Sequence, residues 1–291
     1  MQLRALVELR RQGTMRGAAG VLGYTAGAVS QQLTALERAV GTALLLRVGR
    51  RVEFTDAGRE LAIHAQRILD VETEALNAIE RGQGVRGALH VGVFATAAVD
   101  ILPGVLARAQ ALYPELTVHT REVEVDAMLR SVATGSVDLA IGLDYPDSPV
   151  PQDPALRTVR LRHEPFRLAV PAGSFAETNE IDFAATGELD WILPPPTTVF
   201  GFAMRHFWPR HGVELRVRHE VADTAVSLAF VEAGLGVTPI TDAMLRLRPS
   251  TLDRVDFREP FGRDVVAVVR SAGAERLSVA ALLALLGESA A

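Results

Sequence analysis

From residue 88 onward, short apolar runs alternate with stretches of helical spacing, and few features constrain a fold more. "ALHVGVF" reads as a strand, "DILPGVLARAQALYP" as a helix, "LTVHTREV" as a strand, "VDAMLRSVATGS" as a helix and "VDLAIGL" as a strand. A second set follows in "PFRLAVP", "LDWILPPP", "TTVFGFAMRHFWPRHG", "LRVRHEVA" and "TAVSLAFVEAGLGVTPI". A strand that returns to its own sheet through a helix must do so by a crossover, so the alternation predicts parallel sheets flanked by helices. Because the set occurs twice, two α/β lobes are expected, with the chain crossing between them near 160–170 and 262–270. Lobe I is assigned to about 88–160 and 268–291, and lobe II to about 161–267.

The first 58 residues follow another pattern. Leu3, Leu6, Val7 and Leu9 suggest a helix that ends near "RQG". Thr14 then suits the N-cap of a short helix whose inner side is Met15, Ala18, Ala19 and Leu22. Gly23 permits a tight turn, and Thr25 can cap a third helix in which Val29, Leu33, Leu36 and Val40 share a face. The opposite face carries Gly27, Ser30, Gln31, Thr34 and Arg38. A solvated helix face usually carries ion pairs, and this one is mostly hydroxyl and amide, which suits the reading of base edges in a major groove. An amphipathic helix with an ordinary surface is the other reading of that segment alone. Downstream, "LLLRVGRRVEFTDAG" places Arg47, Arg50 and Arg51 around Gly49 between β-like runs, as in a two-stranded wing with a basic tip aimed at phosphate.

The order helix, "GTMRGAAGVLGYTAGAVSQQLTALERAVGTALLLR", "GRRVEFTDAG", long helix resembles the N-terminal domain of LysR-type transcriptional regulators. The paired alanines, the "AVSQQLTALE" core and the wing sit at that family's spacing. The two lobes resemble the family's effector-binding domain, itself similar to periplasmic solute-binding proteins, with "WILPPP" and "AVSLAFVEAGLGV" as the best-matching stretches. The resemblance implies an α plus α/β architecture. A winged helix-turn-helix (1–58) precedes a linker helix and hinge (59–87) and a two-lobed effector domain (88–291). It implies double-stranded DNA and a small-molecule effector as ligands, with RNA polymerase as a candidate partner and no cofactor. Ala26 and Gly27 depart from the family, which often has Gln and then Pro or Ser there, so its usual half-site preference does not transfer.

Thr55 or Asp56 can cap a long helix running to about residue 80, with Leu61, Ala65, Ile68, Ala75 and Ile79 as a seam that Glu72 interrupts. A single long helix has no core of its own and must bury such a stripe elsewhere. In the family the partner is the same helix of a second subunit, which implies a homodimer, and a dimer of dimers beyond it; packing against its own domain is the alternative. Gly82, Gly84 and Gly87 follow as a joint.

In open α/β sheets ligands sit at the carboxyl ends of strands, beside helix N-termini. That rule lines the cleft with Phe94, Ala95 and Thr96, with Val123 and Glu124, and with Leu143 and Asp144 from lobe I. Lobe II contributes Pro195, Pro196, Thr197 and Thr198, then Asp223 and Thr224, where Asp223 is first of all a helix cap. Thr96 and Thr197 are expected to face each other beside free amides and to hold an acidic group. Glu124 would favour a cationic or donor-rich portion of the same ligand. A zwitterionic or amide-bearing metabolite fits both, with an aromatic acid next because of Phe94 and the proline wall.

Charge supports the division. Residues 1–59 hold nine Arg against four acids, and residues 88–291 hold 18 Arg against 26 acids. A basic head on an acidic body suits DNA binding by the head alone. Every basic residue other than histidine is Arg, and cysteine is absent. No lysine means no Schiff base to pyridoxal phosphate and no phosphate-loop lysine. No cysteine removes thiol nucleophiles and thiolate zinc sites. The seven histidines show no metal spacing. No signal peptide or membrane-spanning run is evident, so a cytoplasmic location is expected. A solute- or ligand-binding protein that does not bind DNA, or an enzyme fused to a helix-turn-helix head, is the alternative class.

Overall fold

The computed structural model describes residues 1–48, 51–79, 84–146, 148–149, 153–174 and 179–290. The head begins with α1 (Gln2–Gln12), α2 (Met15–Leu22) and α3 (Ala26–Val40), followed by the hairpin β1 (Leu45–Val48) and β2 (Arg51–Phe54). Thr14 caps α2 by accepting from the Gly17 amide at 3.0 Å, and Thr25 caps α3 by accepting from Ala28 at 3.2 Å. Between them Gly23 turns the chain at φ 70°, a left-handed conformation that disfavours a side chain. Ala18 and Ala19 are buried against Leu6, Leu9, Val29, Leu33, Leu36 and Leu44, which lets the helices approach closely. Val40, expected on that buried face, is exposed, because α3 runs one turn past this core before stopping at Gly41. Glu37 fastens the end of α3 to the wing, its Oε1 accepting from the amides of Leu44 and Leu45 at 2.9 and 3.1 Å.

The linker helix α4 (Asp56–Ile79) is capped by Thr55, whose hydroxyl accepts from Gly58 at 2.9 Å. A Cβ on Gly58 would lie 2.0 Å from the Leu44 carbonyl oxygen, so this glycine lets α4 leave directly beside the wing. The expected seam is corrected here. Leu61 packs on the core of its own head, and Ala65 is fully buried within the same chain. The cause is α1, which lies along the first turns of α4 and claims that side. Ile68 and Ala75 stay exposed, joined by Val71. The side chain of Ile79 lies outside the described residues.

The body opens with β3 (Gly87–Val93), α5 (Ala95–Asp100), α6 (Leu102–Leu112) and β4 (Leu116–Glu122). A short 3-10 turn (Val125–Ala127), α7 (Met128–Ala133), β5 (Leu139–Asp144) and β6 (Leu156–Pro165) follow. The second lobe holds β7 (Arg167–Val170), β8 (Glu180–Ile181), β9 (Asp190–Leu193), α8 (Val199–Arg210) and β10 (Arg216–Glu220). Next come α9 (Thr224–Glu232), β11 (Thr238–Ile240), α10 (Asp242–Leu245) and β12 (Asp253–Phe257). The chain returns to the first lobe through β13 (Gly262–Arg270) and ends in α11 (Leu277–Ala290).

The first-lobe sheet has the order β4-β3-β5-β13-β6. β3 is parallel to β4 and β5, as the alternation predicts, but β13 is antiparallel to both β5 and β6. In lobe II, β7 is antiparallel to β11 and β12, while β9 and β10 are parallel. β9 and β10 form a sheet of their own. The lobe I sheet and the lobe II sheet β11-β7-β12-β8, in which β12 is parallel to β8, are both mixed: β6 leaves the first lobe and β13 re-enters it, and an outgoing and a returning strand pair antiparallel. The lobes change hands at Phe166, between β6 and β7, and again between Phe257 and Gly262. Lobe I thus keeps β6 up to Pro165 and all of β13, a few residues beyond the edges expected at 160 and 268.

Candidate functional site

On α3, Thr25, Gly27, Gln31, Thr34 and Arg38 are exposed, and Ser30 is half-buried. Gln32, which the sequence reading passed over, is exposed beside them, as is Tyr24 at the entry to the helix. Thr25 already accepts a capping bond from Ala28, so its hydroxyl proton is what it has to offer outward. In the wing, Arg47 is exposed on β1 opposite Val52. Arg51 lies on β2, its side chain outside the described residues, and Arg50 falls outside them altogether. The head therefore presents one helix face made mostly of uncharged donors and acceptors, with Arg38 towards its end, beside a β-hairpin that carries an exposed arginine.

The cleft residues divide. From lobe I, Phe94 and Leu143 are buried, Val123 and Asp144 are half-buried, and Ala95 and Glu124 are exposed. The Val123 amide is taken by the Val93 carbonyl at 3.0 Å, and Asp144 Oδ1 accepts from the Tyr145 amide at 3.0 Å. Thr96 is 4% exposed, and its hydroxyl has no hydrogen-bond partner among the described residues. In lobe II, Pro195 is half-buried, and Pro196 and Thr197 are exposed. Thr198, rather than Thr197, caps α8, accepting from Gly201 at 3.0 Å and donating to the Pro195 carbonyl at 2.8 Å. A Cβ on Gly201 would sit 2.1 Å from that same carbonyl, so the proline loop lies flat against the helix. Asp223 caps α9 by accepting from Val226 at 3.0 Å. Thr224 lines a cavity of about 20 Å³ beneath Phe200 and Met244.

The amide that opens α8 is taken, contrary to the expectation of free amides there. Asp126, from the 3-10 turn of lobe I, accepts from the Val199 amide at 2.7 Å. A carboxylate at a helix N-terminus is favourably placed, and here the chain supplies its own from the facing lobe. Arg246 of lobe II makes a second bridge, 3.0 Å from Asp100 of lobe I.

Several residues that sequence reasoning missed meet where the lobes join. Phe200 stacks on Tyr145 at 5.8 Å and on Phe166 at 5.5 Å, joining α8 to the first lobe. Beneath them Arg263, 2% exposed, pairs with Glu164 at 2.8 Å and donates to Thr241 at 3.3 Å. Its guanidinium also lies 5.9 Å from the Phe94 ring and 5.8 Å from Phe166. Burial alone would raise the Glu164 carboxyl, but the charge of Arg263 and hydrogen bonds from Arg162 and Arg263 hold it below its ordinary value. Burial pushes the Tyr145 phenol up to about 12, so it stays a neutral donor. Among the described residues its hydroxyl makes no hydrogen bond of regular geometry, with the Arg263 guanidinium as its nearest charged neighbour. An arginine opening the apolar run "FGRDVVAVV" was the one available signal for this group.

Among the described residues, no cluster of three or more His, Asp or Glu is placed to hold a metal ion. No described helix is long and apolar enough to cross a membrane.

The comparisons with known proteins agree with this geometry. "Bacterial regulatory helix-turn-helix protein, lysR family" matches residues 1–59, and "LysR substrate binding domain" matches residues 82–291. The "Probable hydrogen peroxide-inducible genes activator" of Mycobacterium avium is 31% identical, over 98% of this chain and 92% of its own. The regulator IlvR of Caulobacter vibrioides is 27% identical over 84% and 82%. Among solved structures, a full-length OxyR variant from Pseudomonas aeruginosa superposes with a TM-score of 0.81 at 18% identity, covering 99% of this chain and 93% of that one. CbnR complexed with its target DNA gives a TM-score of 0.59 at 22% identity, over 100% and 99%. With both halves matched and a winged head joined by one helix to a two-lobed body, this chain belongs to the LysR family of DNA-binding transcriptional regulators, with an effector-binding cleft between its lobes.

Proposed function

We propose that α3 enters the major groove of an operator, reading bases with Ser30, Gln31 and Thr34, while Arg47, Arg50 and Arg51 of the wing hold phosphates. Thr25, Gly27 and Arg38 border the same contact. The observation that carries this reading is the exposed hydroxyl-and-amide face of α3, in a head whose first 59 residues are basic. Such a regulator works where its DNA is, in the cytoplasm. It works as a homodimer joined along Ile68, Val71 and Ala75 of the linker helix, with pairs of dimers and contact with RNA polymerase as further steps.

The effector lies between the lobes, near Phe94, Ala95, Thr96, Val123, Glu124, Leu143 and Asp144 on one side. Pro195, Pro196, Thr197, Thr198 and Thr224 lie on the other. The aromatic group of Phe94, Tyr145, Phe166 and Phe200 around Arg263 favours a small aromatic acid over the zwitterion. Rings stack on that wall, and the hydroxyls of Thr96 and Tyr145 are available to an acidic group. Binding there requires Phe200 to yield or Asp126 to leave α8. The Mycobacterium avium relative is named for hydrogen peroxide-inducible genes. A thiol response to peroxide needs a cysteine, and these 291 residues contain none.

A thermal-shift screen of simple aromatic acids, amino acids and their amides tests the ligand class. A binder raises the melting temperature as its concentration exceeds its dissociation constant. Thr96→Val and Tyr145→Phe are expected to weaken an aromatic acid's shift and leave the unliganded melt close to that of the wild type. Normal binding of such a hit by both variants would place the effector elsewhere.

A further inference from the structure

Arg11, at the end of α1 in the head, is 9% exposed and buried against the body. Its Nε donates to the Gly135 carbonyl at 2.6 Å and its Nη2 to Asp138 at 3.1 Å, with His90 Nδ1 3.3 Å from its Nη1. Arg121 of β4 donates in return to the Arg11 carbonyl at 2.6 Å. Among the described residues, the hydrogen bonds between head and lobe I converge on this one side chain and its backbone. Two cavities, of about 180 and 240 Å³, flank Arg11 rather than a continuous apolar contact.

The linker joins the same cluster. Gln66 accepts from Arg11 at 3.3 Å and donates to Asp70 at 2.9 Å, and Asp70 pairs with Arg270 at 2.6 Å. Arg270 and Arg276 both reach Asp138, at 3.3 and 3.1 Å. Glu8 completes the group, 3.5 Å from Arg11. Three arginines thus face three carboxylates, drawn from the head, the linker and the body. A balanced buried cluster resists the loss of any member but contributes little net energy compared with apolar packing. Such a contact fixes an orientation without making it irreversible.

We infer that Arg11 is a positioning residue for DNA binding: through Asp138 it holds the reading head on lobe I in one orientation, and releasing it lets the head turn about the linker helix. Asp138 immediately precedes β5 and Arg270 closes β13, two strands paired along their length. The opposite ends of that pair carry Tyr145 and Arg263, at the junction of the lobes. The cluster therefore stands at the far end of the strands that line the cleft.

The absence of native cysteine makes a direct test available. Spin labels on Ala39→Cys in α3 and Ala107→Cys in α6, both exposed, report the distance from head to body in the full chain. Dilution with unlabelled chain isolates the distance within one subunit. The wild type is expected to give one narrow distribution. Arg11→Gln should broaden and shift it at temperatures well below the variant's own melting point, where the chain is fully folded, a change of geometry that a merely stabilising contact would not produce. Arg11→Lys, which keeps the charge opposite Asp138, should restore most of the narrow distribution. Arg121→Ala, which removes the second tie without unpairing a buried charge, should broaden it less, and it carries the test should Arg11→Gln fail to fold. Wild-type distributions in both Arg11→Gln and Arg121→Ala would overturn the assignment.

Discussion

At the scale of single residues, the head separates affinity from specificity. Gln31 is exposed on α3 and uncharged, so its amide has value only against a base edge that offers the matching donor and acceptor. Arg47 is exposed on the wing, and its charge meets any phosphate equally well. Gln31→Ala is expected to cost roughly 1–3 kcal/mol on the operator and little on a scrambled duplex. Arg47→Ala should weaken both duplexes alike and lower the slope of log affinity against log salt by about one unit. Fluorescence anisotropy on the two duplexes across a salt series checks both. Equal losses on both duplexes for Gln31→Ala would remove the base-reading role from that position.

At the scale of elements, the linker helix has two faces with different duties. Ala65 is fully buried within its own chain, whereas Ile68 and Val71 are 54% and 58% exposed. Ile68→Asp puts a charge into the partner's surface, and burying it unpaired should cost about 3 kcal/mol or more of assembly. That raises the dimer dissociation constant by at least ~100-fold, at about 1.4 kcal/mol per decade. Light scattering over a dilution series should show monomer appearing in this variant first, with the fold retained by circular dichroism. An unchanged mass would place the seam on another surface. The same helix shows what the sequence could reveal. Periodicity identified α4 and the apolar side of α3, because caps and three-four spacing are local. It could not assign Leu61 and Ala65 to α1, since that depends on which side of α4 the head packs against. The cleft was less legible still. Arg263 and Glu164 are 99 residues apart and meet only when β13 pairs with β6, and Asp126 and Val199, 73 apart, meet only once the lobes close. The rule that ligands meet free amides at helix starts located α8 correctly and missed that Asp126 had taken the amide.

At the scale of the whole molecule, the cluster around Asp138 makes the docking of head on body depend on acid. Burial would raise the Asp138 carboxyl, but hydrogen bonding with His90 and the charges of Arg11, Arg276 and Arg270 outweigh it and hold it well below the usual carboxylate range. The other groups facing it are Glu8 on α1 and Gln66 and Asp70 on α4. A carboxyl whose folded value is depressed contributes stability that is fully present above its unfolded value, near ~4, and is lost as pH falls from there towards the folded value. Between about pH 7 and about 5 this contribution should be flat, and below about 4 it should fall. Asp138→Asn removes the ionisation and leaves the arginines without that charge, at a cost of about 3–5 kcal/mol near neutrality. The gap between wild type and variant should then narrow as the pH drops below about 4, because protonated Asp138 comes to resemble asparagine. Denaturant titrations of both proteins from neutral to acid pH measure that gap, with Arg11→Gln alongside. In Arg11→Gln the carboxylate keeps Arg270 and Arg276, so the gap from wild type should be smaller at every pH. A gap for Asp138→Asn that stays constant down to about pH 3 would show that the carboxylate's charge is not what ties the three modules together.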